Sequence, residues 1–276
     1  MTDDRGPVAT LEERDLRRLV LDQRIRYSYS APVTDLCQYL KVVPPPVHGA
    51  QRRRRWHVAV NGVVSSRSHT FEDSFANLTV AVRVPYVESA VEFVVSVEAE
   101  RDADRRPHVV AADRRYLGPT ALTAPDEAIT DLALTGGRLD AESLCERAHG
   151  AITYEWGITG VHTTAASALA LGRGVCQDYA HIMLAACRRA GVPARYVSGH
   201  LRGEGGSHAW VEVLRPDPDH PGTWLAEGWD PTHNRRTNER YLTIAVGRDY
   251  SDIAPFSGTF SGHHVIGSLA VRKRLS

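Results

Sequence analysis

One stretch constrains this chain more than any other: Gly172-Arg173-Gly174-Val175-Cys176-Gln177-Asp178-Tyr179-Ala180-His181, running on to Val192-Pro193. Two glycines allow a tight turn, because either can take a positive φ at little cost. Good helix formers follow from Gln177 to Ala190; Gly191 is placed to end the helix, and Pro193 forbids its return. Cys176 is therefore expected at or next to the first turn of a helix. There the unpaired N–H groups and the positive end of the helix dipole favour a thiolate over a thiol. The stretch reads as the seat of a cysteine nucleophile.

Such a cysteine needs a base close by and a group to orient that base. In residues 207–214 the alternation puts His208, Trp210 and Glu212 on one face and Ala209, Val211 and Val213 on the other. In residues 223–230, Trp224, Ala226, Gly228 and Asp230 share a face. The segment between them, residues 215–222, is built of turn residues. An antiparallel hairpin centred near Asp219 sets His208 directly opposite Asp230, with Cβ atoms about 5 Å apart. That spacing lets a carboxylate hold an imidazole. The roles follow triad logic: Cys176 attacks a carbonyl carbon, His208 moves the proton, and Asp230 fixes the imidazole. The backbone N–H of Cys176 would help hold the oxyanion, with Gln177 and Trp156 as candidates for a second donor. His233 and Asn234 are the alternative orienters.

The remaining chain fits around this centre. At 276 residues it is long enough for two domains. Residues 19–29, 33–43, 55–64, 79–84 and 90–98 read as short strands at regular spacing, with Asn61-Gly62 as a hairpin turn. They predict an antiparallel sandwich. Residues 126–133, 140–150 and 164–171 read as helices, with Asp140 as an N-cap. Residues 194–200, 207–214, 223–229 and 267–272 read as strands, the last of them free to return to either sheet. The expected organisation is a β domain over 1–113, a linker over 114–127 and a catalytic domain over 128–276. The fold class is α+β, with the nucleophile helix packed on an antiparallel sheet.

Lys+Arg and Asp+Glu are both 33, so net charge points to neither nucleic acid nor membrane. Only Lys41 and Lys273 are lysines, a scarcity that reads as base-composition bias. The first residues lack an apolar core of the secretory kind, no stretch reaches the length of a membrane span, and a cytoplasmic protein is expected. The four cysteines have no CxxC spacing, and the histidines no HExxH spacing, so neither a metal nor a cofactor is expected. Cys37, Cys145 and Cys187 read as core residues.

Three blocks carry a family resemblance: residues 174–180 (GVCQDYA), 207–212 (SHAWVE) and 229–234 (WDPTHN). They resemble those of the bacterial transglutaminase-like family, within the papain-like superfamily of cysteine acyl-transfer enzymes. The flanking segments 197–201 and 247–252 are similar as well, and the strand-rich start, including Tyr27-Ser28-Tyr29 and Pro32-Val33, resembles that family's β-rich N-terminal region. The resemblance implies a triad of Cys176, His208 and Asp230. Cys176-Gln177 departs from the Cys-Trp pair of animal transglutaminases, and no acidic calcium loop is evident. The expected function is acyl transfer at a peptide or amide bond through a thioester, with hydrolysis (peptidase or amidase) as the outcome. Protein-glutamine transglutaminase activity is one alternative, and a non-catalytic peptide-binding module on the same fold is the other.

Overall fold

The computed structural model describes residues 18–102 and 108–276, so the reading of the first residues lies outside it. The chain begins with β1 (Arg18–Tyr29), β2 (Val33–Leu40), β3 (Val47–His48), β4 (Gln51–Asn61), β5 (Arg67–Glu72), β6 (Leu78–Val87), β7 (Ala90–Arg101) and β8 (His108–Ala111). A mixed stretch follows: α1 (Glu127–Leu134), α2 (Ala141–Ala151), β9 (Thr153–Tyr154), α3 (Ala165–Leu171), β10 (Arg173–Gly174) and α4 (Cys176–Arg189). Strands complete it: β11 (Ala194–Leu201), β12 (His208–Pro216), β13 (Thr223–Asp230), β14 (Arg235–Arg236), β15 (Tyr241–Gly247), β16 (Phe256–Ser261) and β17 (Gly267–Leu275).

The alternation in the first strands does what period two requires. Leu19, Leu21 and Ile25 of β1 and Val91, Phe93, Val95 and Val97 of β7 are fully buried. They meet Leu36, Leu40, Val80, Val82 and Val84 of the facing sheet in one core. One sheet runs β17-β1-β7-β4-β3 and the other β16-β2-β6-β5, all antiparallel, so the expected sandwich is present. Two details differ from the sequence reading. Asn61-Gly62 does turn the chain, with Gly62 at φ +82, but β4 pairs with β7 and β5 with β6. The turn therefore passes the chain between sheets instead of closing a hairpin. Moreover, the last two strands leave the expected catalytic domain and complete the sandwich, β16 on β2 and β17 on β1.

The third sheet runs β14-β13-β12-β11-β15, with β8 also paired to β13. Helix α4 packs on it through β12 and β11 and is surrounded by α1, α2 and α3, so Asp178 through Arg188 are all buried. Ala209, Val211 and Val213 of β12 face this helical core. Each large apolar side chain buried there stabilises the fold by about 1.5–3 kcal/mol.

The sandwich grips the free edge of this sheet. The Gln51 side chain donates to the Thr243 carbonyl and accepts from its N–H, both at 2.9 Å. Asn77 does the same for Val246, both at 2.8 Å. Two amide side chains thus stand in for a neighbouring strand along β15. A buried ionic tie lies alongside: Glu212 accepts from His48 of β3 at 2.6 Å and from Arg195 of β11 at 2.6–2.8 Å.

Candidate active site

The start of α4 is fixed by Asp178, whose Oδ2 accepts from the Val175 N–H and the Thr159 hydroxyl, each at 2.7 Å. A carboxylate in the first turn also suits the helix dipole. The two glycines have different tasks. Gly172 takes the positive φ, +69. Gly174 supplies room, because a Cβ there would lie 2.6 Å from Asp178 Oδ2. This turn presents Cys176 at the first position of the helix, partly exposed, with its Sγ 3.9 Å from the Ser207 carbonyl oxygen.

His208 begins β12 and is almost fully buried; its Nε2 donates to Asp230 Oδ2 at 2.7 Å. That leaves Nδ1 free of the carboxylate. The register reaching this pairing is not the expected one. Val211 lies opposite Trp229 and Glu212 opposite Gly228. Continuing that ladder sets Trp210, not His208, opposite Asp230. The turn is centred near His220 instead of Asp219, with the Asp217 N–H bonded to the Thr223 carbonyl at 3.0 Å. Because side chains repeat every two residues, this offset keeps both residues on one face. His208 and Asp230 meet as diagonal neighbours.

Asp230 is wholly buried and saturated with donors. Its Oδ2 accepts from His208, from the Tyr241 hydroxyl at 2.7 Å and from His233 Nδ1 at 2.8 Å. Its Oδ1 accepts from the N–H groups of Thr232 and His233 at 3.0 and 3.3 Å. Burial alone would push the carboxyl up; the bonds from His208, Tyr241 and His233 outweigh it and hold Asp230 well below the usual carboxylate range. For His208, burial would lower the imidazole, but the hydrogen bonds to Asp230 and Cys176 win and raise it to about 10. A positive imidazole between a carboxylate and a thiol is the arrangement that supports a thiolate–imidazolium pair.

Three further groups surround the pair without having stood out in the sequence reading as they do here. Glu204 lies 3.4 Å from His208 Nδ1 and 3.1 Å from His233 Nε2, closing a ring of ionisable groups at the mouth. His233 joins Asp230 instead of replacing it. Tyr241 comes from β15, remote in sequence, and carried no local signal. The ligand atoms of His208, Asp230 and His233 lie within 4.8 Å of one another, but they are engaged in the hydrogen bonds just described. Neither expected second oxyanion donor is so placed as to be assigned: the Gln177 amide donates to the Val161 carbonyl at 3.2 Å, and Trp156 stands 84% exposed. Burial pushes the thiols of Cys145 and Cys187 up to about 12, which suits core residues.

The sequence model of the transglutaminase-like superfamily matches residues 134–227, and that of the bacterial transglutaminase-like N-terminal region matches residues 19–100. An uncharacterized protein of Mycobacterium leprae is 31% identical over 271 residues, covering 86% of this chain and 90% of that protein. Another, of Mycobacterium tuberculosis, is 31% identical over 163 residues, and the match covers 48% of its length. A solved structure from Cytophaga hutchinsonii, provisionally titled a cysteine protease, superposes with a TM-score of 0.70 at 18% identity, over 94% of this chain and 97% of that one. At that identity the likeness speaks for the fold. Both family regions occur in order, and a relative is matched along nearly its whole length: the chain belongs to the bacterial transglutaminase-like family of papain-like cysteine enzymes.

Proposed function

We propose that this protein is a cysteine-dependent acyl-transfer enzyme that hydrolyses a peptide or amide bond, with Cys176 as nucleophile, His208 as acid and base, and Asp230 as orienter. The observation that carries the reading is His208, braced by Asp230 at 2.7 Å and adjacent in the chain to Ser207, whose carbonyl oxygen lies 3.9 Å from the Sγ of Cys176 at the helix start. The Cys176 thiolate attacks the carbonyl carbon, and the tetrahedral oxyanion is met by N–H groups at the helix start. Collapse breaks the C–N bond, and the leaving amine takes the imidazolium proton of His208. Neutral His208 then removes a proton from water as the water oxygen attacks the thioester. The carboxylic product leaves and the thiol is restored.

The openness of the site supports hydrolysis over transfer to an amine. Glu204 and His233 at its mouth are about a third exposed, so water can reach a thioester formed there. The test is to incubate the protein with peptide amides, with and without a primary amine, and to follow products and enzyme by mass spectrometry. The reading requires a thioester adduct on Cys176, a carboxylic product, and loss of both in Cys176→Ala. Turnover that survives Cys176→Ala would sink it, and a product carrying the added amine would move the assignment to transamidation.

A further inference from the structure

Four side chains form a closed ring at the mouth of the site. Asp230 Oδ2 accepts from His208 Nε2 at 2.7 Å and from His233 Nδ1 at 2.8 Å. On the other side, Glu204 Oε2 lies 3.4 Å from His208 Nδ1, and its Oε1 lies 3.1 Å from His233 Nε2. Each histidine therefore stands between the same two carboxylates. The carboxylates are not equivalent. Asp230 is wholly buried and is also held by the Tyr241 hydroxyl and two backbone N–H groups. The Glu204 side chain is 35% exposed, open to whatever enters the site.

The turn that carries Glu204 leaves it room. Its N–H donates to the Leu201 carbonyl at 3.1 Å, and Gly203 takes φ +95. A Cβ on Gly205 or Gly206 would meet nothing within 4 Å. The neighbouring arginines are engaged with the backbone: Arg240 donates to the Arg202 carbonyl at 2.8 Å, and Arg202 to the Arg18 carbonyl. Arg173, in the turn before the nucleophile, pairs with Glu155 at 3.0 Å. The ion-pair partners of Glu204 among the described residues are two histidines, which lose their charge when they give up a proton.

On the Cys–His reading above, His208 hands its proton to the leaving amine from Nδ1, the ring nitrogen that Asp230 does not hold. Proton transfer needs the two nitrogens about 3 Å apart, so the leaving nitrogen comes within roughly 6 Å of the Glu204 carboxylate. As His208 turns neutral, Glu204 loses the charge beside it. A cation on the leaving fragment replaces that charge just as the C–N bond breaks, which favours the transition state over the bound substrate. We propose that Glu204 is a specificity-determining residue that selects amides whose leaving amine carries a second, cationic group. The bond before a basic residue and the amide of a diamine both belong to this class. The carboxylate receives the cation on the leaving-group side of Cys176, and a neutral or acidic fragment forgoes the contact.

A pair of charged thiol reagents reads this selectivity without a known substrate. Trimethylammonioethyl and sulfonatoethyl methanethiosulfonate differ in charge. The Cys176 thiolate attacks the sulfur of either one, forms a disulfide and releases methanesulfinate. With the full chain at low salt, peptide mapping gives the cation-to-anion rate ratio at Cys176, referred to that of mercaptoethanol. The proposal requires the ratio to exceed the reference by about fivefold, the upper end for a partly exposed charge pair, and to shrink as salt rises. Glu204→Gln should bring it to the reference, and Glu204→Lys should invert it. A ratio equal in wild type and Glu204→Gln would overturn the proposal, even where both rates fall together, because a carboxylate that only braces His208 affects both reagents alike. In a randomised peptide pool, cleavage should fall before Lys and Arg in wild type and lose that bias in Glu204→Gln. Cleavage without that bias would contradict the proposal as well. The reagent ratio decides even if no peptide in the pool is cut. His208→Ala, which should slow both reagents alike, tests the Cys–His pair; the ratio tests Glu204, so the two readings fail apart.

Discussion

At the scale of single residues, Asp230 carries the most weight, because five donors depend on one buried carboxylate. Replacing it with alanine removes the brace on His208 and the charge that raises it. We expect Asp230→Ala to lower kcat by about 10²–10⁴-fold, the range of a positioned acid–base group. The alkaline limb of the pH–rate profile should also move to lower pH. The sign follows from the imidazolium proton: with Asp230 present, His208 keeps it until about pH 10, and without Asp230 it is released earlier. An unchanged limb would mean that Asp230 does not govern His208. This pair was legible in the sequence, although for a reason weaker than the one first given. The ladder is offset from the expected register, and the period of two preserved the shared face regardless. Glu204 and Tyr241 were not legible in the same way. Tyr241 reaches the site from β15, whose pairing no local pattern encodes, and Glu204 sits in the turn four residues before His208, outside the alternation that marked the strand.

Among elements, β15 shows what the N-terminal sandwich does for the catalytic sheet. Its open edge is closed by Gln51 and Asn77, one before and one after the transfer between the two sandwich sheets. Asn77→Ala would leave the N–H and C=O of Val246 without their partner. The cost should be about 2 kcal/mol or more, the penalty for buried groups left unpaired, read as a lower denaturation midpoint. A loss under about 0.5 kcal/mol would show that water replaces the amide. The hairpin expected at Asn61-Gly62 marks a limit of the same kind. Turn chemistry fixes that the chain reverses, not which strand it then joins. β4 was claimed by β7, where Val58 and Val60 lie opposite Val95 and Phe93, and β5 was left to β6.

For the whole molecule, buried histidines set opposite limits on stability. His181 and His200 are held neutral at about 4 and 3, chiefly by burial. Below pH 6.5 the unfolded chain takes up protons that these two refuse in the fold, so stability falls by about 1.4 kcal/mol per pH unit for each. His208 acts in the other direction. Its folded value lies above the unfolded one, so its contribution is complete below about pH 6.5 and is lost as pH rises toward 10. Thermal midpoints should therefore peak near neutrality and decline on both sides; a midpoint still rising at pH 9 would contradict this balance. The return of β16 and β17 to the sandwich ties the last described strands to the first. An apolar strand at the chain end was readable from residues 267–272, but its destination depended on which sheet edge lay open.

The central claim is an activated Cys176–His208 pair, and its most direct test is mass-spectrometric mapping of iodoacetamide labelling against pH in wild type and His208→Ala. Cys145 and Cys187, buried and raised to about 12, should stay unlabelled while Cys176 reacts first and fast at neutral pH. That selectivity should disappear with His208. Slow labelling at Cys176 that is indifferent to His208→Ala would contradict the account and leave the cleft as a binding surface.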